Sequence, residues 1–345
     1  MVNCAAIALS ALCYYPNFYC LLACRLMQGM CTGVFSTLAN MIVKELAPVE
    51  IAGSLGAIPE LMLSVGTLSP YLLVYILKKV TQDDSCHSFW RYVFGVPILL
   101  IAIQTIILLF VFNLETPKYW LIERNQDKAK KVIEMIYKPE FVEEVLRQKT
   151  VDIAYYQQSL SKSFLEKSLL SDQAEEDTKK EPQSPQTKQW LPIMVGVHLS
   201  FLQQFCGVNS VNIYCGPILS HATSGEMVLL IPTLMQLTKL SCNAISARLL
   251  HNYGRKRMIT IGCVMETLAT GAIGTGFLLN DSGSVVGRWL VIVGLVVFMA
   301  TFGLTLGPVI WLYIPEIVPP KIVSVTTACN WLGSSFTVTL FPIIK

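Results

Sequence analysis

The chain has 345 residues, 53% of them hydrophobic and only 14% charged, with a mean hydropathy of +0.53. That balance excludes a disordered chain and argues against an ordinary soluble enzyme. The net charge of +3 is small and the basic residues form no stripe, which speaks against a nucleic-acid partner.

Apolar segments follow one another at 1–14, 18–43, 53–77, 91–114, 190–220, 227–250, 258–279, 288–314 and 323–343. A helix needs about 20 apolar residues to cross the hydrocarbon core of a bilayer. The pattern therefore predicts an all-α membrane protein with nine spans, the first of them short. The region 115–189 carries thirteen Lys and Arg, and the short loop 251–257 holds Arg255, Lys256 and Arg257. The loops 15–17, 221–226 and 280–287 hold none. The positive-inside rule puts the first two on the cytosolic side and the other three outside, so residue 1 starts inside and Lys345 ends outside. Lys78 and Lys79, in an external loop, are a mild exception.

Within 115–189, Ala129, Val132, Ile133 and Ile136 recur at helical spacing, as do Phe141, Val142, Val145 and Leu146 after Pro139. Both stretches predict short amphipathic helices. Residues 171–189 are polar, with two prolines, and read as a flexible linker. Three parts result: a membrane half over 1–114, a cytosolic segment over 115–189 and a second membrane half over 190–345. Glu45-Leu46-Ala47-Pro48 and Glu316-Ile317-Val318-Pro319 repeat Glu-x-x-Pro at equivalent inner helix ends, an internal echo of the kind found in secondary transporters.

The run from Gln203 to Tyr214 places Gln203, Gln204, Asn209 and Asn212 inside an apolar stretch and suggests a broken helix that offers its amides to a ligand. An amide is a weak acid and base, but it donates and accepts hydrogen bonds at once, which suits a neutral ligand rich in hydroxyls. Gly303, Gly307 and Pro308 weaken the helix that carries Trp311, whose ring can stack on the apolar face of a sugar or simply pack. Asn330 is a further amide in an apolar run. Two ionisable residues lie at membrane depth, Glu60 and Lys239. Glu60 can bind substrate, carry a proton or pair with Lys239. Arg25 can snorkel to the outer surface. Glu45, Glu115, Arg124, Arg255, Lys256 and Glu316 stand near inner helix ends, where they are plain interfacial charges or ion pairs closing the two halves on each other. Ten of the eleven cysteines lie in or beside apolar runs and read as packing residues, and no Cys-x-x-Cys pair occurs. The four histidines are scattered, so no metal site is expected. No nucleophile–base set appears, so neither catalysis nor a cofactor is expected.

These residues resemble the sugar porter family of the major facilitator superfamily. The matching pieces are QQFCGVN from Gln203; GPVIWLYIPEIVP from Gly307; Gly254-Arg255-Lys256-Arg257; Trp90-Arg91 with Phe94-Gly95; LETPKYWL from Leu114; and Arg25 with Glu45-x-x-Pro48. The resemblance implies the twelve-helix fold of two six-helix halves, with family helices 3–6 in 1–114 and helices 7–11 in 190–345. Helices 1, 2 and 12 are expected to be missing from this sequence. It also implies alternating access to a hexose bound between the halves. Gln203, Gln204, Asn209, Trp311 and Asn330 look like sugar ligands. Glu45, Arg91, Glu115, Lys118, Arg255, Lys256 and Glu316 look like the cytosolic gate. Glu60 stands where the family usually has a sugar-binding Gln, and Lys239 near a usual Asn. The expected function is transport of a neutral sugar of hexose class, in the plasma membrane, with proton coupling left open; the alternative is a non-transporting receptor or an inactive, truncated homologue.

Overall fold

The computed structural model describes residues 2–12, 15, 17–48, 55–81, 89–111, 115–154 and 190–344. All regular structure among them is helical. The first group comprises α1 (Val2–Leu12), α2 (Phe18–Leu46), α3 (Ile58–Thr81) and α4 (Phe89–Phe110). Three short helices follow: α5 (Pro117–Ile122), α6 (Gln126–Ile136) and α7 (142–154). The last group comprises α8 (Trp190–Phe205), α9 (Val208–Ala222), α10 (Met227–Tyr253), α11 (Arg255–Asp281), α12 (Val285–Leu304), α13 (Leu306–Ile317) and α14 (Pro320–Ile344).

Among the described residues, six stretches are long and apolar enough to cross a membrane: 18–43, 58–76, 190–221, 227–250, 255–281 and 285–317. Val2–Leu12 and Gly95–Phe110 are shorter apolar helices. α14 has 25 residues but buries Thr326, Thr327, Asn330 and Ser334, a polar face that lowers its hydropathy. Large side chains such as Leu26, Met30, Leu99, Ile103, Leu268 and Leu278 stand exposed on the helix surfaces, where lipid rather than water satisfies them.

Two of the expected spans are each interrupted. α8 and α9 meet at Cys206–Gly207, where Gly207 adopts φ +89°, a left-handed conformation open to glycine. α12 and α13 meet at Thr305, between the Gly303 and Gly307 that weaken this ladder. Glu60, expected mid-span, instead lies in the first turn of α3, yet is buried. α6 forms as its periodicity predicts, with Ala129, Val132 and Ile133 buried, although Ile136 at its end is exposed. The side-chain oxygens of Asn17, Thr116 and Asn125 cap α2, α5 and α6. The linker expected over 171–189 lies outside the described residues.

The core of the last group is built on α12 and α13, through Leu295, Phe298, Met299, Phe302, Leu306 and Ile310. α11 packs closely against α12 because small residues face each other there. A Cβ on Gly276 would come 2.9 Å from the Val291 backbone nitrogen, and one on Gly287 would come 2.4 Å from that of Asn280. Helices in lipid have little hydrophobic drive to associate, so such close backbone approach carries their packing. The Gly287→Ala variant is expected to lower thermal stability in detergent by about 1–3 kcal/mol through overpacking. Gly271→Ala, where a Cβ meets nothing within 4 Å, is expected to leave the unfolding temperature unchanged or slightly higher.

Candidate functional site

The interrupted helix α8–α9 gathers the amides. Gln203, Gln204 and Asn330 are buried, and Asn209 is half-buried. Gln203 Nε2 donates to the carbonyls of Leu306 (3.1 Å) and Gly307 (3.2 Å), so the first break is tied to the second. Asn330 Nδ2 donates to Gln203 Oε1 at 2.7 Å and to the Ser200 carbonyl at 3.1 Å. Gln204 Nε2 donates to Asn330 Oδ1 at 2.8 Å. Asn209 Nδ2 then donates to Gln204 Oε1 and to Ser334 Oγ, each at 2.7 Å. Four side chains expected from sequence thus form one chain of hydrogen bonds across α8, α9 and α14. A buried amide network of this kind is stable only when its members are satisfied.

Trp311 does not join this chain. It is half-buried and lines a small cavity of about 10 Å³ with Thr37 and Asn40 of α2 and with Ser200, Pro315 and Thr327. Its ring therefore looks from the last helix group toward the first.

The principal contact between the two groups is α3 against α10. Glu60, Ser64, Thr67 and Tyr71 recur at steps of four, three and four, which places them on one face of α3. Gln236, Lys239 and Asn243 do the same on α10. Lys239 Nζ lies 3.5 Å from Glu60 Oε1 and 5.3 Å from the Phe302 ring centroid. Asn243 Nδ2 donates to Ser64 Oγ. Thr67 Oγ1 donates to Gln236 Oε1 at 3.3 Å, while Gln236 Nε2 donates to Asn212 Oδ1 at 2.7 Å. The Tyr71 hydroxyl donates to the Asn212 carbonyl. Of the three roles open to Glu60, the structure displays the pairing with Lys239. Both side chains are nearly inaccessible, at 3% and 4% exposure, so each charge depends on the other.

Ser64, Thr67, Tyr71, Gln236 and Asn243 are not among the residues singled out from sequence. Their signal was a polar stripe at helical spacing in an apolar helix, obscured because single hydroxyls and amides are unremarkable one at a time. Glu266, a third buried ionisable residue, was also missed.

Among the described residues, the charges at the helix ends form pairs within the last group and between α2 and the short helices α5 and α7. Arg255 grips Glu316 with two bonds, Nη2 to Oε1 at 2.7 Å and Nε to Oε2 at 3.2 Å, both inside the last group. Lys118 Nζ lies 3.0 Å from Glu45 Oε1, and Lys149 Nζ donates to the Glu45 carbonyl at 3.0 Å, so α5 and α7 are fastened to the end of α2. In this arrangement each Glu-x-x-Pro carboxylate therefore takes a nearby cation, Glu45 from the short helix α5 and Glu316 from the start of α11. Burial lowers the pKa of Lys149, partly offset by Glu45. Glu115 and Lys256 are exposed, and Arg91 sits in the first turns of α4 with its side chain outside the described part. Among the described residues no group of His, Cys, Asp or Glu is placed to hold a metal.

The Sugar (and other) transporter family profile matches residues 1–345. The chain belongs to that family. It is 26% identical over 340 residues to the glucose transporter GlcP of Staphylococcus epidermidis, covering 95% of this chain and 68% of that protein. It is 26% identical to hexose transporter 1 of Toxoplasma gondii, covering 92% and 56%, and 27% identical to the facilitated trehalose transporter Tret1 of Anopheles gambiae, covering 91% and 37%. The chain thus spans between about a third and two thirds of the length of these relatives. Its fold is that of the major facilitator superfamily. It superposes on the proton:xylose symporter XylE with a TM-score of 0.79 at 20% identity, covering 100% of this chain and 72% of that one. Against the partially occluded inward-open XylE of E. coli the TM-score is 0.74. As a member of this family, with apolar spans throughout, it is an integral, multi-pass membrane protein and not an enzyme.

The Glu60–Lys239 pair generates a test. Glu60→Gln alone and Lys239→Asn alone each strand a buried charge, and each is expected to cost about 3–5 kcal/mol of stability. The double variant is expected to recover much of that loss, measured as a coupling term in a double-mutant cycle on thermal unfolding. Additive losses would mean that the two charges do not act on each other.

Proposed function

We propose that this chain belongs to a carrier that binds a neutral sugar, of hexose class, between two helical halves and moves it by alternating access. The observation that carries the reading is the amide chain Gln203–Asn330–Gln204–Asn209 at the α8–α9 break. Its donors and acceptors satisfy one another. A ring of sugar hydroxyls offers the same donors and acceptors, so it can exchange with these bonds without leaving any of them unmet. A charged substrate would lack a counter-charge there, because Glu60 and Lys239 neutralise each other and the amides carry no charge.

In this reading residues 1–114 and 190–345 are the two halves, 115–189 is cytosolic, and Trp311 forms the aromatic wall facing α2. The relatives that transport glucose, hexoses and trehalose support a sugar as cargo. Glu45, Lys118, Arg255 and Glu316 hold each half rigid at the cytosolic end, so that the halves rock as bodies. Residence in the plasma membrane belongs to the same proposal.

Binding is measured by titrating D-glucose and D-xylose into purified protein, and transport by uptake of the labelled sugars into proteoliposomes. Gln204→Ala and Asn209→Ala each remove hydrogen bonds worth about 0.5–1.5 kcal/mol. Affinity is expected to fall several-fold, roughly tenfold at most. Trp311→Phe is expected to retain more affinity than Trp311→Ala, since part of the stacking surface remains. Unchanged affinity in both amide variants would sink the assignment of the site.

A further inference from the structure

α11 carries a charge that neither the amide chain nor the α3–α10 seam uses. Glu266 lies near the middle of this 27-residue helix and is 4% exposed. Among the described residues, neither of its carboxyl oxygens has a hydrogen-bond partner. It shares a buried face with Met258, Gly262 and Ala269. Gly262, one turn away, abuts the α12–α13 break: a Cβ there would come 2.4 Å from Thr305 Oγ1. From the other side Cys206 and Gly207, at the α8–α9 break, line a cavity together with Thr270, one turn beyond Glu266. The carboxyl group thus stands beside both interruptions that shape the amide site.

No cation from the surrounding helices is committed to it. Lys239 of α10 is held by Glu60, and Arg255, in the first turn of α11, by Glu316. Arg248 of α10, Arg288 of α12, His198 of α8, and Lys256 and Arg257 of α11 are exposed at or toward the helix surfaces. Tyr313 and Glu316 of α13 lie at its far end, and Cys263 stands three residues before Glu266 on α11. A cavity of about 740 Å³ is walled by Cys206 and Gly207 at the break, by Thr270 one turn beyond Glu266, and by His221 and Asp281 at the ends of α9 and α11. It runs from one turn beyond Glu266 to His221 and Asp281 at the helix ends.

An ionised carboxylate at membrane depth with neither donor nor cation is strongly unfavourable, whereas the neutral acid is tolerated. We infer that Glu266 is a proton-binding site: it is a neutral carboxylic acid in the arrangement seen here, and it ionises when movement of an adjoining helix break brings a backbone N–H or water to its oxygens. The O–H bond then breaks, the electron pair stays on the carboxylate, and the proton passes to water at the cavity. Protonation of this one group thereby favours the closed arrangement of the breaks, and loss of the proton favours an open one.

The inference stands apart from sugar transport, and its readouts use no sugar. Infrared difference spectra of the reconstituted full chain, wild type minus Glu266→Gln, are expected to show a carboxylic-acid C=O stretch at neutral pH that is replaced by carboxylate bands as the pH is raised. Glu60→Gln, which removes a paired carboxylate, is expected to leave that acid band in place. A second measurement needs no variant. A hydrophobic carbodiimide adds to protonated carboxylic acids, the acid O–H adding across C=N and the acyl group then migrating to nitrogen as a stable acylurea. Mass spectrometry is expected to find that adduct on Glu266 at neutral pH, falling several-fold at alkaline pH. Absence of both the acid band and the adduct at neutral pH, or an adduct yield independent of pH, would overturn the inference.

Discussion

At membrane depth there is no water to satisfy a polar side chain, so every amide, hydroxyl and charge must find its partner inside the protein. The arrangement of this chain follows from that requirement. Gln203, Gln204, Asn209 and Asn330 would each be costly alone in an apolar helix. Joined end to end, they hold α8, α9 and α14 in one register and fasten the Leu306 and Gly307 carbonyls freed by the α12–α13 break. The two helix interruptions and the amide chain are therefore one construction: the breaks expose backbone groups, and the amides meet them.

The same requirement acts between the two helix groups. The seam from Glu60 to Tyr71 against Gln236, Lys239, Asn243 and Asn212 supplies direction-dependent contacts where dispersion alone would permit sliding. Such contacts break and re-form as a set, which suits surfaces that must occupy two discrete arrangements. An ion pair within the seam differs from the hydroxyl and amide contacts in its consequence. Separating a hydroxyl pair leaves two dipoles to be re-satisfied; separating Glu60 from Lys239 leaves two charges. The pair thus biases the equilibrium toward closure of α3 on α10, and a carrier built this way needs water or ligand to reach the seam before it opens. The end pairs Arg255–Glu316 and Lys118–Glu45 do different work, since each brace lies within a single half and the linked segment.

Much was readable from residue order because the membrane sets simple rules. Apolar length predicted the spans, and mid-span amides singled out Gln203, Gln204, Asn209 and Asn330, since an amide in an apolar run is conspicuous. Glycines and Pro308 marked the second weak point, which the structure places at Thr305. The amides of the Gln203–Tyr214 run also suggested a broken helix, and the structure places that break at Cys206–Gly207. Glu266 was passed over because attention went to charges with an evident opposite.

Sequence by itself determined the helical class, the spans, the amide cluster and the family motifs, because these depend on local composition and on short spacings along one helix. Tertiary structure alone decided who pairs with whom. It placed Lys239 on Glu60 and, beside them, Asn243 on Ser64, joined Arg255 to Glu316, set Trp311 beside Thr37 and Asn40 of α2, and left Glu266 without a donor among the described residues. The reason is physical: partner choice at depth depends on helix rotation and on close backbone approach at glycines such as Gly276 and Gly287, and a rotation of part of a turn exchanges one set of partners for another.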